Sequence, residues 1–299
     1  MDQALLLPAV ERLVGTPGGS SRAQAERFLG YAVEQKIDVQ RMFTEVDGRN
    51  RPIRTVLLVP NPGRTAVAFA GPAPSRLNIP ALGGLIEHAC QQLDPADIHL
   101  AQALLEPADS GLGSAFRSGG FTELAQLAYL ERPLPRGPLS VPPWPDDVRI
   151  TGWEPERRAD VLRILKQSYE GTLDCPGLRG LRELDDILEG HMKAGVFEPG
   201  LWRVLYLGDE PAGVTMLNTA PGSASIELVY LGLAPVARGR GFGASMLRDA
   251  INGLVGRTEH SITLAVDLRN HPALSLYRGL DFRRKLRRTA FIRSLRAST

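Results

Sequence analysis

The residues of this chain whose types and spacing could support chemistry lie in its second half, around Gly239, Gly241 and Gly243. These glycines follow an apolar stretch that ends at Pro235, and they precede an amphipathic stretch. Glycine permits positive φ and close backbone approach, so successive N–H groups can point at one centre. A helix that begins there adds unpaired N–H groups and the positive end of its dipole. The run therefore predicts a cradle for a phosphate or diphosphate.

Two other kinds of phosphate loop do not match this run. A Walker A loop needs a lysine followed by serine or threonine after its last glycine, and the run contains no lysine. A dinucleotide fingerprint needs the spacing G-x-G-x-x-G in the first strand–helix turn of its domain. Here the spacing is G-x-G-x-G and the turn comes late, so both alternatives are rejected.

Strands and helices must hold this turn in place. Apolar periodicity predicts a strand before it, a helix after it, and a second strand and helix further on, at 226–234, 242–255, 262–267 and 272–278. The same reasoning predicts further elements at 148–153, 156–169, 181–193, 202–207 and 213–218, and a final hairpin that carries 289–292. Strands interleaved with helices around one sheet predict an α/β fold.

A proline-rich stretch, 133–145, divides the chain. Its six prolines stop helices and central strands, which is typical of a stiff, extended linker. We therefore predict domains at 1–132 and 146–299, joined by this linker.

The first segment repeats part of the second. Residues 66–74 align with 227–235, and 116–121 align with 277–282, each block in the same order and before a comparable final strand. Identity is weak, but order and approximate spacing agree, which indicates two tandem copies of one fold.

The second copy resembles a known family. The run from Arg238 to Gly243, preceded by Leu233, Ala234 and Pro235, is similar to the R/Q-x-x-G-x-G/A pyrophosphate loop of the GNAT acetyltransferases. About thirty residues later, the chain is similar to the family's second pattern, N-x-x-A-x-x-x-Y-x-x-x-G-F, at Asn270, Ala273, Tyr277 and Phe282. Asp281 stands where the family has glycine, and aspartate tolerates left-handed geometry. The resemblance covers 146–299.

The resemblance implies two tandem GNAT-like domains, each a mixed central sheet flanked by helices. Their arrangement is similar to that of two-domain members such as mycothiol synthase. The implied reaction is transfer of an acetyl group from acetyl-CoA, as co-substrate, to a primary amine by direct attack. A non-catalytic acyl-CoA sensor or interaction module is the alternative.

Two side chains take catalytic roles by this resemblance. Tyr277 is similar to the family's general acid, because a phenol stays protonated near neutral pH and can donate to a departing thiolate. Glu227 lies where members that use a glutamate base carry it, and it would act directly or through water. Two-residue periodicity places 227, 229, 231 and 233 on one strand face. Alternatively, Tyr277 only packs in the core and Glu227 is a solvated strand-end carboxylate.

The implied cofactor contacts run along the same stretch. The backbone at Leu231 and Leu233 would pair with the pantetheine arm, next to a splay between strands, and Asn270 would cap the following helix and touch the cofactor. The remaining predicted contacts belong to the strand end and the loop: Gly232, Arg238, Gly239, Arg240, Gly241, Phe242, Gly243 and Ala244.

The first copy lacks these features. Asn78, Pro80 and Leu82 occupy its three glycine positions, and Pro72, opposite Leu233, has no N–H to offer. Phe116 stands opposite Tyr277 and has no hydroxyl. We therefore predict a degenerate N-terminal copy that supports the fold or shapes the acceptor cleft.

The acceptor wall is predicted at 168–178, between the first two helices of the second copy. Nearby Glu183, Asp185 and Asp186 would suit a cationic amine, or they form a plain solvated helix face. The predicted partner is a small-molecule amine or a peptide N-terminus.

Composition limits the other functions. A net charge of +2 gives no reason to expect nucleic acid or a membrane surface as partner. Five scattered histidines and two cysteines predict neither a metal site nor a disulfide framework. The first residues lack a basic region and a long apolar run, so we expect a cytoplasmic protein without a signal peptide.

Overall fold

A computed structural model describes residues 3–15, 21–72, 78–220 and 222–296. The chain divides into two compact units, Met1–Leu124 with Thr289–Thr299, and Ala125–Arg288. These limits differ from the predicted 1–132 and 146–299. The stretch just before the proline-rich segment belongs to the second unit, and the last strand segment of the chain belongs to the first.

The first unit has a mixed sheet with helices. Its strands lie in the order β1-β2-β3-β4 and then residues 289–294 of the last strand, which pair antiparallel with β4. Only β3 and β4 are parallel neighbours. The elements are α1 (Gln3–Val14), α2 (Arg22–Glu34), β1 (Met42–Val46), β2 (Pro52–Asn61), β3 (Thr65–Ala70), α3 (Ile79–Gln91), β4 (Leu100–Leu105) and α4 (Ser110–Ser118).

The core of the first unit lies where α3 and α4 cover the sheet. Apolar side chains of both helices, among them Leu82, Ile86 and Phe116, are buried against β2, β3 and β4. A second cluster lies between α1, α2 and β2, with Ala9 and Val10 fully buried. The sheet is thus covered by helices.

The second unit has a larger mixed sheet. Its order is β5, β11, β10, β9, β8 and β6, with the short β7 paired to β9. Its elements, together with the last strand, are β5 (Thr122–Pro133), β6 (Val148–Gly152), α5 (Arg158–Ser168), α6 (Leu184–Lys193), β7 (Val196–Phe197), β8 (Arg203–Leu207), β9 (Glu210–Ala220), β10 (Ser225–Leu233), α7 (Phe242–Asn252), β11 (Ser261–Asp267), α8 (His271–Arg278) and β12 (Arg283–Ser294). A single strand, β12, replaces the predicted hairpin around 289–292.

Helices cover both faces of this sheet. On one face α7 and α8 bury an aliphatic cluster that includes Leu247, Ile226 and Tyr277. On the other face α5 and α6 pack against Trp202 and Met216. Both units therefore confirm the predicted α/β class, a mixed sheet flanked by helices in each half.

The proline-rich segment packs along the second unit. Asn252, at the end of α7, binds both backbone groups of Leu139: its Oδ1 accepts from Leu139 N at 2.6 Å and its Nδ2 donates to Leu139 O at 2.9 Å. Further on, the Trp144 ring lies 6.1 Å from that of Phe242. Spaced apolar side chains make this segment a packed strap, although prolines hold it extended.

Within the described residues, no helix has both the length and the apolar character needed to cross a membrane.

Candidate active site

The glycine-rich turn has the backbone that its sequence predicts. Gly239 and Gly241 have φ values of 73° and 81°, and Gly241 is the N-cap of α7. A Cβ built on either glycine meets nothing within 4 Å. Ala244 and Ser245 begin the helical bonding by donating to Gly241 O, so the N–H groups before them point out of the helix end. The turn therefore offers an open cradle of main-chain donors.

A splay between two strands adjoins this cradle. The parallel strands β10 and β11 pair only over Ser225–Glu227 and Ser261–Thr263. Further along, β10 continues to Leu233 on β9 alone, so one backbone edge at 231–233 faces no neighbouring strand among the described residues. An extended amide chain can pair with such an edge, as predicted for the pantetheine arm.

A β-bulge at Val229 corrects the predicted strand face. The register with β9 shifts between Leu228 and Tyr230. As a result, Tyr230 packs with the α5/α6 cluster, whereas Leu231 and Leu233 pack with the cluster under α7. The expectation that 227, 229, 231 and 233 share one face was wrong, because one inserted residue reverses the alternation beyond it.

The predicted acid, Tyr277, lies near the end of α8. Its side chain is 8% exposed, and its ring meets Phe282 at 5.6 Å. Burial raises the pKa of the Tyr277 phenol, and the nearby Asp174 carboxylate raises it further. The hydroxyl therefore stays protonated and able to donate across the neutral range.

The turns around α8 match their predicted roles. Asn270 caps the helix, its Oδ1 accepting from Ala273 N at 3.2 Å. Asp281 follows the helix with φ of 62°, in the left-handed region that glycine would occupy. The last turn therefore keeps its geometry without glycine.

The predicted base, Glu227, lies at the last position where β10 pairs with β11. Its register partners are Asn218 on β9 and Thr263 on β11. Burial raises the pKa of Glu227, which improves a carboxylate as a proton acceptor. Glu227 is half-buried, so it is less solvated than the strand-end interpretation expects.

Comparison with known proteins agrees with the family that the sequence motifs resemble. Residues 163–282 match the model of the acetyltransferase (GNAT) family. The second unit carries a GNAT domain. This match, which lies within the second unit, confirms the predicted acetyltransferase class.

Relatives extend this likeness. A mycothiol acetyltransferase from Nocardioides sp. is 33% identical over 81 residues, which cover 27% of this chain and 26% of that protein. Another, from Frankia casuarinae, is 27% identical over 293 residues, 92% of this chain and 74% of that protein.

One solved structure is similar to this chain over both of its units. The tandem GNAT protein from the clavulanic acid biosynthesis pathway superposes with a TM-score of 0.54 at 14% identity, covering 100% of this chain and 97% of that one. At that identity the likeness concerns the fold, and it confirms the tandem arrangement.

One segment of the GNAT domain, residues 168–175, is tied to both edges of the splay. At the β10 edge, the Arg238 guanidinium donates to Leu233 O, Ser168 O and Glu170 O at 3.1, 2.8 and 2.7 Å. The Arg238 side chain therefore holds the end of α5, and the backbone N–H of Arg238 donates to Pro235 O at 3.2 Å. The phosphate contact of this residue stays a prediction.

At the β11 edge, the carboxylates of Asp174 and Asp267 each accept a hydrogen bond from a backbone N–H of the other segment. Asp267 N donates to Asp174 Oδ1 at 2.9 Å, and Cys175 N donates to Asp267 Oδ2 at 3.2 Å. Arg269 pairs with Asp267 at 2.7 Å. The segment predicted to form an acceptor wall is thus fixed next to the buried phenol.

Phenols and a histidine line the α5/α6 face. The Tyr230 hydroxyl lies 2.7 Å from Ser168 Oγ, and its ring lies 5.0 Å from His191 and 6.3 Å from Tyr169. Burial, with the Arg182 charge, lowers the pKa of His191 to about 4, so this imidazole is neutral. Its Nε2 is buried without a hydrogen-bond partner among the described residues. No sequence pattern identifies this group, because the bulge decides where Tyr230 points.

Tyr129 is a further residue that sequence reasoning missed. It pairs with Ala265 on β11, and β11 in turn pairs with β10 beside Glu227. Burial raises the pKa of Tyr129, and the Glu227 carboxylate adds to the rise. Assigning β5 to the first domain concealed this proximity.

Other predicted residues lie at the margin. Arg240 stacks over Phe242 at 4.6 Å, with Asp147 at 4.0 Å. Of the acidic group, Asp185 is exposed and pairs with Arg158, while Asp186 is buried. The solvated alternative therefore describes Asp185.

Proposed function

We propose that the second unit transfers an acetyl group from acetyl-CoA to a primary amine by direct attack. One observation supports this proposal: the second unit combines three features. They are an open glycine cradle at α7, an unpaired strand edge beside it, and a buried phenol on α8. The cradle suits a diphosphate, and the strand edge suits the amide groups of a pantetheine arm.

The acceptor must lose a proton to react. An alkyl ammonium with a pKa near 10 is neutral in only about one molecule in a thousand at pH 7. Glu227, whose pKa burial raises, accepts this proton directly or through water. The amine nitrogen then bonds to the thioester carbonyl carbon, and the tetrahedral intermediate releases its second N–H proton to water as the amide forms.

The departing sulfur must gain a proton as the C–S bond breaks. Tyr277 supplies it, since its phenol is held protonated by burial and by Asp174. The products are the acetamide and the free thiol of CoA, and solvent returns the proton to the phenol.

A covalent acetyl-enzyme is disfavoured on chemical grounds. Cys175 is the only cysteine in the second unit, and Cys90 lies in the first. Burial raises the pKa of Cys175 to about 12, and the Asp174 and Asp267 charges contribute. A thiol in this state has almost no thiolate at pH 7, so we propose direct transfer.

We further propose a small-molecule amine as acceptor. Segment 168–175 is pinned at both edges of the splay, which suits a compact acceptor better than a long chain. Relatives over most of the chain bear the name mycothiol acetyltransferase, which also favours a small molecule.

Release of CoA from acetyl-CoA tests the proposal, measured over a panel of small amines and one peptide N-terminus. We expect turnover with a small amine and a ternary complex, seen as intersecting rather than parallel initial-rate lines. CoA binding by calorimetry without turnover on any acceptor would favour the sensor alternative. Parallel lines would indicate an acetyl-enzyme.

A further inference from the structure

A second cavity, of ≈ 410 Å³, lies in the same unit away from the glycine cradle. Its lining includes Arg132, Arg248 and Asp281, with Leu139, Pro142 and Leu280 as apolar walls. Because α7 and α8 start beyond the carboxyl ends of β10 and β11 and run back along them, residues after their last turns lie at the opposite end of the sheet. Arg132 pairs with Ile262, at the start of β11, which agrees with this position.

The central residue of this cavity is a buried cation. Arg132 is 6% exposed, although arginine is seldom buried without a partner. Its Nε donates to Pro133 O at 3.2 Å, and its guanidinium lies 6.0 Å from the centre of the Phe282 ring. Burial lowers the pKa of Arg132, and the Asp281 charge raises it by a smaller amount. Among the described residues, Arg132 forms no ion pair and no hydrogen bond besides the one from Nε.

A second cation faces the same space. Arg248, half-buried on α7, has no ion pair or hydrogen bond among the described residues. With Asp281 as the single acid of the lining, the cavity holds one positive charge in excess. Buried charges in proteins are normally paired, since desolvation otherwise costs several kcal/mol per ion.

The apolar wall is fixed in position. The two hydrogen bonds between Asn252 and the backbone of Leu139 hold the proline-rich strap against α7. Leu280 is 4% exposed and belongs to the core under α8. The cavity is therefore bounded by packed elements on more than one side.

We propose that this cavity binds a small organic oxyanion, with its head group on Arg132 and Arg248 and a compact apolar body against Leu139 and Leu280. The planar guanidinium fork suits carboxylate and phosphate oxygens alike. Binding of the oxyanion in this cavity does not require acetyl transfer at the glycine cradle.

Calorimetry on the full chain tests the proposal, with phenyl phosphate and benzoate as probes, each measured with and without saturating CoA. We expect saturable binding of one probe that persists when CoA is present, and at least a tenfold weaker affinity in Arg132→Gln and in Arg248→Gln. The probe that binds more tightly identifies the head group. Arg278→Gln is the matched control, because Arg278 is an exposed arginine on α8 outside the lining.

If Arg132→Gln fails to fold, Arg248→Gln decides alone, because this residue is only half-buried. Absence of saturable binding by either probe would overturn the proposal. So would equal affinity in Arg248→Gln and the wild type, or loss of binding in Arg278→Gln to the same extent. Competition by CoA would assign the probe to the glycine cradle instead and overturn the proposal too.

Discussion

The two units end their fourth helix in the same way, and they differ there by one hydroxyl. Asp109 caps α4 and Asn270 caps α8, each accepting from the N–H three residues on. Phe116 in α4 and Tyr277 in α8 each accept, through their carbonyl, a bond of 3.0 Å from the aromatic residue five positions later. The two ring pairs are edge-on, at 5.0 and 5.6 Å. Both helices therefore end with the same backbone bond and the same edge-on ring pair, and the Tyr277 hydroxyl is the group that the second unit adds.

The splay is common to both units as well. In the first unit β3 and β4 pair only over 65–67 and 100–102, as β10 and β11 do over three residues. What differs is the space at the strand end. A Cβ built on Gly71 would lie 2.3 Å from Arg12 O, so the backbone of α1 packs directly on the end of β3, whereas a Cβ built on the aligned Gly232 would meet, at 2.4 Å, the Tyr230 side chain of its own strand. The register of β2 with β3 also runs without a bulge.

These contrasts indicate that the splay is part of the fold that both units share. The glycine turn, the bulge and the phenol are what turn the splay of the second unit into a candidate site. The first unit keeps the architecture and fills or omits each of these features, which supports the prediction of a degenerate copy.

The hydroxyl gives the sharpest test of this comparison. Tyr277→Phe should lower kcat on the order of 10²-fold, since the departing thiolate loses its proton donor. Its stability should change little, because the ring remains. The reverse change, Phe116→Tyr, buries a hydroxyl where the wild-type ring is fully buried, and should destabilise by about 1–3 kcal/mol without altering kcat. Steady-state kinetics and urea unfolding measure both; full turnover in Tyr277→Phe would contradict the acid role.

The base predicts the next largest effect. Glu227→Gln should lower kcat/KM by about 10- to 100-fold. Because burial raises the pKa of Glu227, the active carboxylate is lost on acidification at a higher pH than for an ordinary glutamate. The wild-type profile should fall on its acid side from that higher pH, and the variant should lack this fall. Glu131→Gln is the control, because Glu131 lies on β5, one strand beyond β11, and pairs with Lys285; this variant should keep the wild-type profile. An unchanged acid side in Glu227→Gln would remove the base role.

The contribution of the glycine turn to CoA binding can be distinguished from the effect of backbone strain. Gly241 and Gly256 have φ of 81° and 86°, and a Cβ built on either meets nothing within 4 Å. Alanine at either position should therefore lower the free energy of unfolding by roughly 1–2 kcal/mol, because a Cβ is unfavourable in the left-handed region. Only Gly241→Ala should weaken CoA binding, by about tenfold, since its Cβ enters the cradle. Calorimetry with CoA checks this, and equal affinity in the two variants would mean that the turn does not hold the diphosphate.

The helix caps give the smallest effect. Asp109→Ala and Asn270→Ala should each destabilise by about 1 kcal/mol, because each cap satisfies one N–H of its helix. Amide exchange at Leu112 and Ala273 reports the local loss. If Asn270 also touches the cofactor, its variant alone will bind CoA more weakly; identical CoA affinity in both variants would limit Asn270 to capping.

The sequence by itself determined the elements that surround the cradle. The predicted helix 242–255 and strand 262–267 correspond to Phe242–Asn252 and Ser261–Asp267, and 272–278 to His271–Arg278. Glycine spacing, apolar periodicity and the cap at Asn270 are local signals, readable within one turn or strand. The loop, the phenol and the family resemblance follow from such signals.

Only the tertiary structure decided three further matters. The bulge at Val229 turns Tyr230 toward His191, and β5 brings Tyr129 to the Glu227 side of the second unit. The last strand segment, 289–294, pairs with β4 of the first unit. Strand partners and register depend on hydrogen bonds between segments far apart in the chain, and two-residue alternation looks the same whichever strand lies alongside.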